Sequence, residues 1–133
     1  MNFEKLYIDG QWVDGASGKF IDVENPATRQ IFARVPAGNG EDVDKAAKAA
    51  HAALPEWSAL PLSVRINLME KFLSIFKSQE DELIDITIKE LGSPWAFTKS
   101  SQVEYQYVRT RSYIDLAPDV PMVEKMPLST TYR

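Results

Sequence analysis

The chain contains no cysteine among its 133 residues. That absence removes a disulfide scaffold, a thiolate zinc site and a cysteine nucleophile from anything these residues do alone. Histidine is nearly absent too. His51 is the only one, which excludes a multi-histidine metal centre and leaves a Ser-His-Asp relay one candidate base. Basic excess is missing: fifteen Lys and Arg stand against nineteen Asp and Glu, a formal charge of −4. No nucleic acid and no anionic membrane is therefore expected as a partner, because neither finds a cationic surface to release its counterions. No apolar run approaches the roughly 18 residues of a membrane span. The opening Met1 to Gly10 has an early acid and no apolar core of signal-peptide length. The expected location is a reducing cytoplasm.

What is present has the composition of a globular protein, 44% hydrophobic, 26% charged and 11% aromatic. The length suits one domain. A compact chain of this size buries roughly 68% of its unfolded surface, enough for a core.

Residues 1–38 carry β patterns. Leu6-Tyr7-Ile8 and Gln11-Trp12-Val13 flank Asp9-Gly10, a strong short hairpin signal. Asp14 to Gly18 reads as a second turn. Phe20 to Val23 and Gln30 to Val35 are extended, separated by Asn25-Pro26, where proline cannot donate to a ladder. Three or four strands in one small antiparallel sheet are expected.

The period changes at Asn39. Val43, Ala46, Ala47, Ala50, Ala53 and Leu54 recur at three- and four-residue spacing on one helical face. Asn39 caps this helix, Glu41 and Asp42 suit its positive end, and Pro55 is expected to end it. A second helix is expected over about Ser63 to Lys77, with Val64, Leu68, Met69, Phe72, Leu73 and Phe76 as its stripe. A third covers Glu80 to Leu91 and stops at Gly92. A fourth is expected to start at Ser93-Pro94, with serine as cap and proline as first helical residue. It carries Phe97, Val103, Tyr105, Tyr107, Val108, Tyr113 and Leu116 on more than one face, so it asks for two partners. Ala117 to Met126 reads as a connector. Leu128 to Tyr132 reads as a strand whose partner is either the first strands or a segment outside these residues.

Few residues suggest chemistry of their own. His51 sits in an alanine-rich helix with no ligand-spaced partner. Glu80, Asp81 and Glu82 are explained by the helix dipole. Gly38-Asn39-Gly40 lacks the spacing of a phosphate loop and reads as a turn and cap. Arg109 and Arg111, two apart on a helix, point to different faces and do not form an anion clamp. No complete catalytic constellation is present, and no cofactor-binding residue is identified.

The order of landmarks says more than any one of them. Tyr7-Ile8-Asp9-Gly10-Gln11-Trp12-Val13, Val23-Glu24-Asn25-Pro26-Ala27-Thr28, Asp42-Val43-Asp44-Lys45-Ala46, Trp57, Arg65 with Leu68, and Glu90-Leu91-Gly92-Ser93-Pro94 follow one another as in the start of an NAD(P)-dependent aldehyde dehydrogenase. The chain resembles that family from about Leu6 to Pro94, and more loosely to Tyr132. The resemblance implies an α/β fold of which residues 1–133 form the N-terminal portion of the cofactor-binding domain. Within it, 1–38 are β hairpins, 39–117 are helical, and 118–133 are a connector and the start of a strand. It implies oxidation of an aldehyde to a carboxylic acid with NAD or NADP through a cysteine thioester, in a homo-oligomer. The family's cysteine, base glutamate, cofactor lysine and glycine-rich turn are absent here, so the chain alone is expected to be inactive. Residue by residue, the resemblance implies a structural monovalent cation held by the carbonyls of Val23 and Glu24 and the carboxylate of Glu90, hard oxygens that suit such an ion. It also implies that Tyr105 and Val108 line the aldehyde tunnel. A reading of another class is a free-standing, non-catalytic helical interaction module derived from a truncated gene.

Overall fold

Asp9 and Gly10 both take left-handed backbone angles, φ 53° and 74°, the two-residue turn whose twist matches antiparallel strands. In the computed structural model, which describes residues 3–121, 123–125 and 130–132, this turn joins β1 (Leu6–Ile8) to β2 (Gln11–Val13). Tyr7 lies opposite Trp12, with ring centroids 5.1 Å apart. A second antiparallel pair is formed by β3 (Phe20–Asn25) and β4 (Gln30–Pro36). Its loop is organised by Asn25. The Oδ1 of that residue accepts from the Ala27 N–H at 2.9 Å, and its carbonyl accepts from the Arg29 N–H at 2.8 Å.

The single small sheet expected from the strand pattern is instead two separate two-stranded sheets. The reason lies in the loop between them. Gly18 N–H bonds the Gly15 carbonyl, Ser17 Oγ donates to Ala37 O at 2.7 Å, and Ala16 N–H goes to the Asp42 carboxylate. Those groups are engaged in turns and side-chain bonds, so no ladder runs on from β2 to β3. A third antiparallel pair joins β5 (Val123–Lys125) to β6 (Thr130–Tyr132). This corrects the expected connector. The terminal strand finds its neighbour locally, within what reads in sequence as a linker. Leu128 and Ser129 lie outside the described residues.

The first helix, α1 (Gly40–Ala59), opens with a reciprocal cap. Asn39 Oδ1 accepts from the N–H groups of Glu41 and Asp42, and Asp42 Oδ2 accepts from the Asn39 N–H at 3.0 Å. Pro55 does not end α1 as expected; it lies inside the helix. Proline removes one N–H donor and crowds the turn before it. Only one further turn follows, and it closes through a Leu60 N–H to Trp57 carbonyl bond before Pro61.

Helices α2 (Leu62–Ser78) and α3 (Glu80–Leu91) match the periodic pattern. Gly92 stops α3 at φ 66°. A Cβ there would sit 2.9 Å from Cγ of Pro26, so glycine is required by both backbone angle and space. The fourth helix differs from expectation at its start and in its middle. Pro94 is the cap rather than the first helical residue, α4 is one short turn (Trp95–Phe97), and a wider π-helical stretch, Thr98–Glu104, leads into α5 (Tyr105–Leu116). Ser93 does not cap. Its hydroxyl meets that of Thr98 at 2.6 Å, and Thr98 Oγ1 also donates to Pro94 O.

The core is small. Leu73, Ile84, Val103 and Ile114 are its buried apolar residues, one each from α2, α3, the π-helical stretch and α5. Phe72, expected in this core, is 51% exposed. The accessible surface is 9918 Å², against about 7,000 Å² for a compact protein of this mass. Much of the excess is apolar. The outer face of α1 leaves Val43 and Leu54 exposed, α2 leaves Leu68 and Ile75, and α5 leaves Tyr105, Val108 and Leu116.

Candidate functional site

The residues expected to hold a cation come from two elements that touch. The C-terminal end of α3 packs on β3, with Gly92 fitted against Pro26. Val23 and Glu24 lie in β3 at a shift of strand register, so the ladder is irregular there. The Glu24 side chain pairs with Arg29 at 2.7 Å. Glu90 is exposed in the last turn of α3, with no ion pair among the described residues. Among the described residues no three His, Cys, Asp or Glu side chains cluster as a metal centre. Any cation here would rely mainly on main-chain oxygens.

Tyr105 and Val108 stand one turn apart on α5, 56% and 61% exposed, on a face that no described helix covers. The inward face holds Tyr107, Arg111 and Ile114 against α2. The two-sided apolar character of the fourth helix is thus present in three dimensions. The helix enters this position through the π-helical stretch, whose Thr98 has no exposed surface. Its hydroxyl is satisfied by Ser93 and Pro94, so the irregular turn is held by polar contacts.

Two polar constellations have no signal in sequence spacing. Arg111 grips Glu70 with both terminal nitrogens, a fork-to-fork geometry across 41 residues of chain. The Glu70 carboxyl is held below its ordinary range by that hydrogen bond, and the Arg111 guanidinium is held above its own. Arg109 turns away from Arg111 and lies over the Tyr113 ring at 5.9 Å. The two arginines therefore do not converge, as their spacing implies. The second constellation is Asp42, 5% exposed. It accepts from the N–H groups of Asn39 and Ala16, which hold its carboxyl below the usual carboxylate range.

Other candidates are placed plainly. His51 is exposed on α1. Glu80 pairs with Lys77 at 2.6 Å and opens α3 with Asp81 and Glu82. Gly38-Asn39-Gly40 is the turn and cap of α1.

Comparison with known proteins gives a consistent result. A sequence profile described as the aldehyde dehydrogenase family matches residues 12–133. A Staphylococcus epidermidis protein named "Putative aldehyde dehydrogenase" is 40% identical over 105 residues, 79% of this chain and 22% of that protein. The crystal structure of an aldehyde dehydrogenase from Bartonella henselae superposes with a TM-score of 0.90 at 25% identity, over 97% of this chain and 27% of that one. A mutant of aldehyde dehydrogenase C from Pseudomonas syringae, solved with NAD+ and octanal, gives 0.89 at 30% identity, over 93% and 26%. The chain spans about a quarter of the length of the relatives it matches.

Proposed function

Because the chain belongs to the aldehyde dehydrogenase family, we propose that it is the N-terminal part of an oxidoreductase that converts an aldehyde to a carboxylic acid with NAD or NADP. The observation that carries this reading is the family match over residues 12–133. The chain has no cysteine, so the thioester chemistry of such an enzyme would use a cysteine from the other three quarters of a family-length polypeptide. The role of these residues is to build one flank of the enzyme. Tyr105 and Val108, apolar and open on α5, would border the aldehyde's path and select it by size. The cofactor supplies the hydride acceptor when bound, and no residue of this chain is assigned to hold it.

The carbonyls of Val23 and Glu24 and the carboxylate of Glu90 would hold a structural monovalent cation. The fit rests on two features: packing of α3 on β3 brings their elements together, and the donors are hard oxygens. Assembly as a homo-oligomer and a cytoplasmic location belong to the same proposal. No described helix is long and apolar enough to cross a membrane.

The test has two arms. Purified residues 1–133 are expected to give no aldehyde-dependent reduction of NAD or NADP; turnover that survives repurification overturns the reading. Sequencing past the Arg133 codon is expected to find a continuing frame that encodes Glu-Pro and then an apolar strand. A stop codon there would instead support a free-standing helical interaction module.

A further inference from the structure

A groove of about 340 Å³ runs between α2 and α5, floored by Leu62, Ile66, Met69 and Ile114, with Thr110 on its wall. Arg65 enters it from α2. The Nε of this arginine is buried without a hydrogen-bond partner, and no carboxylate pairs with its guanidinium among the described residues. The other acidic and basic groups of these two helices are already engaged. Glu70 and Asp115 both go to Arg111, and Lys77 goes to Glu80. At the groove's rim Arg109 stands over Tyr113, itself a lining residue, and adds a second positive charge with no carboxylate beside it.

A buried donor with no acceptor is unusual in a native fold. A cation beside an apolar cleft defines the complement in chemical terms: one carboxylate joined to a short aliphatic body. The volume lies at the small end of the roughly 300–1,000 Å³ range of small-molecule sites, which suits a single unbranched tail.

We propose that the α2–α5 groove binds an aliphatic monocarboxylate, with the acid group on Arg65 and the tail along Leu62, Ile66 and Met69. The guanidinium donates hydrogen bonds to the carboxylate and the tail displaces water from the apolar floor. This site rests on residues of the present chain alone and stands or falls separately from the aldehyde-oxidation reading.

The test is an NMR titration of residues 1–133 with sodium hexanoate, hexan-1-ol and sodium acetate, following the Thr110 and Ile114 methyl groups. Hexanoate is expected to bind at least about tenfold more tightly than hexan-1-ol, the scale of a charge-assisted hydrogen bond, and acetate more weakly than either. Arg65→Met, which keeps the apolar stem, should bring hexanoate and hexanol within about twofold of each other. Arg65→Lys should keep part of the preference and guards against a variant that does not fold. Equal binding of acid and alcohol by the wild-type chain overturns the proposal. So does an acid preference that survives Arg65→Met, or a titration that leaves both methyl groups unmoved.

Discussion

Leu73 and Phe72 are neighbours on α2, yet Leu73 is 1% exposed and Phe72 is half open to solvent. Leu73→Ala is expected to destabilise the chain by about 2–5 kcal/mol, the range for a truncated core leucine. Phe72→Ala should cost less than about 1.5 kcal/mol, because much of the ring stays hydrated when folded. Urea denaturation of both variants checks the pair; equal losses would place Phe72 in the core after all. The sequence of α2 does not separate these two residues, since apolar side chains fill both sides of the helix and periodicity marks a face without saying what covers it. Asp42 was legible only as a helix-opening acid. Its bond to the Ala16 N–H joins residues 26 positions apart and leaves no trace in spacing. With its carboxyl held below the usual range, the stabilisation from Asp42 is complete above the ordinary aspartate pKa of about 3.9. It is lost as pH falls through the lower folded-state value. Asp42→Asn should therefore melt below wild type at neutral pH, and the gap in Tm should narrow as the pH is lowered through that region. A gap that is constant with pH would contradict the carboxylate's role.

Among the elements, caps and turns were the most legible and irregular helix the least. Asp9-Gly10, Asn39 and Gly92 each follow from one local geometric requirement, and each stands where the sequence puts it. Gly92→Ala should destabilise by more than about 1 kcal/mol, from the left-handed backbone alone, with the Pro26 contact adding to it. Pro55 was misleading because a helix near its end has few bonds left to lose. Pro55→Ala is expected to stabilise the chain, by no more than about 3 kcal/mol, and a measured loss of stability would mean that the ring has contacts of its own. The π-helical stretch from Thr98 to Glu104 has no compositional mark, since its residues are ordinary helix and cap formers. Its cause is the packing of Val103 and Thr98 against neighbours distant in sequence, which no local rule contains.

For the whole molecule, the excess accessible surface has a direct physical outcome. Exposed apolar area of this extent promotes association, so sedimentation should show a concentration-dependent shift to larger species. Val108→Lys, on the open face of α5, should reduce it without loss of helix signal in circular dichroism. Tyr107 is a poor choice for the same test, because it faces α2. A monodisperse monomer at high concentration would mean that these faces are not adhesive. The family and its α/β class were legible from ordered landmarks. The candidate cation and tunnel positions entered through resemblance, and no spacing rule pointed to them.

The fitted contact between Gly92 and Pro26, together with the Asp42 tether, also divides the chain by how readily its amides open. Helix α1 is held at its first turn and lies largely exposed beyond it, whereas α2, α3 and α5 share the buried residues. Local opening free energy follows such differences in burial. Deuterium should therefore enter α1 from about Lys48 onward well before it reaches the amides around Leu73, Ile84 and Ile114. A protease that samples transient openings should make its first cut in the same place, near the turn that contains Pro55, and leave the other three helices as a resistant fragment.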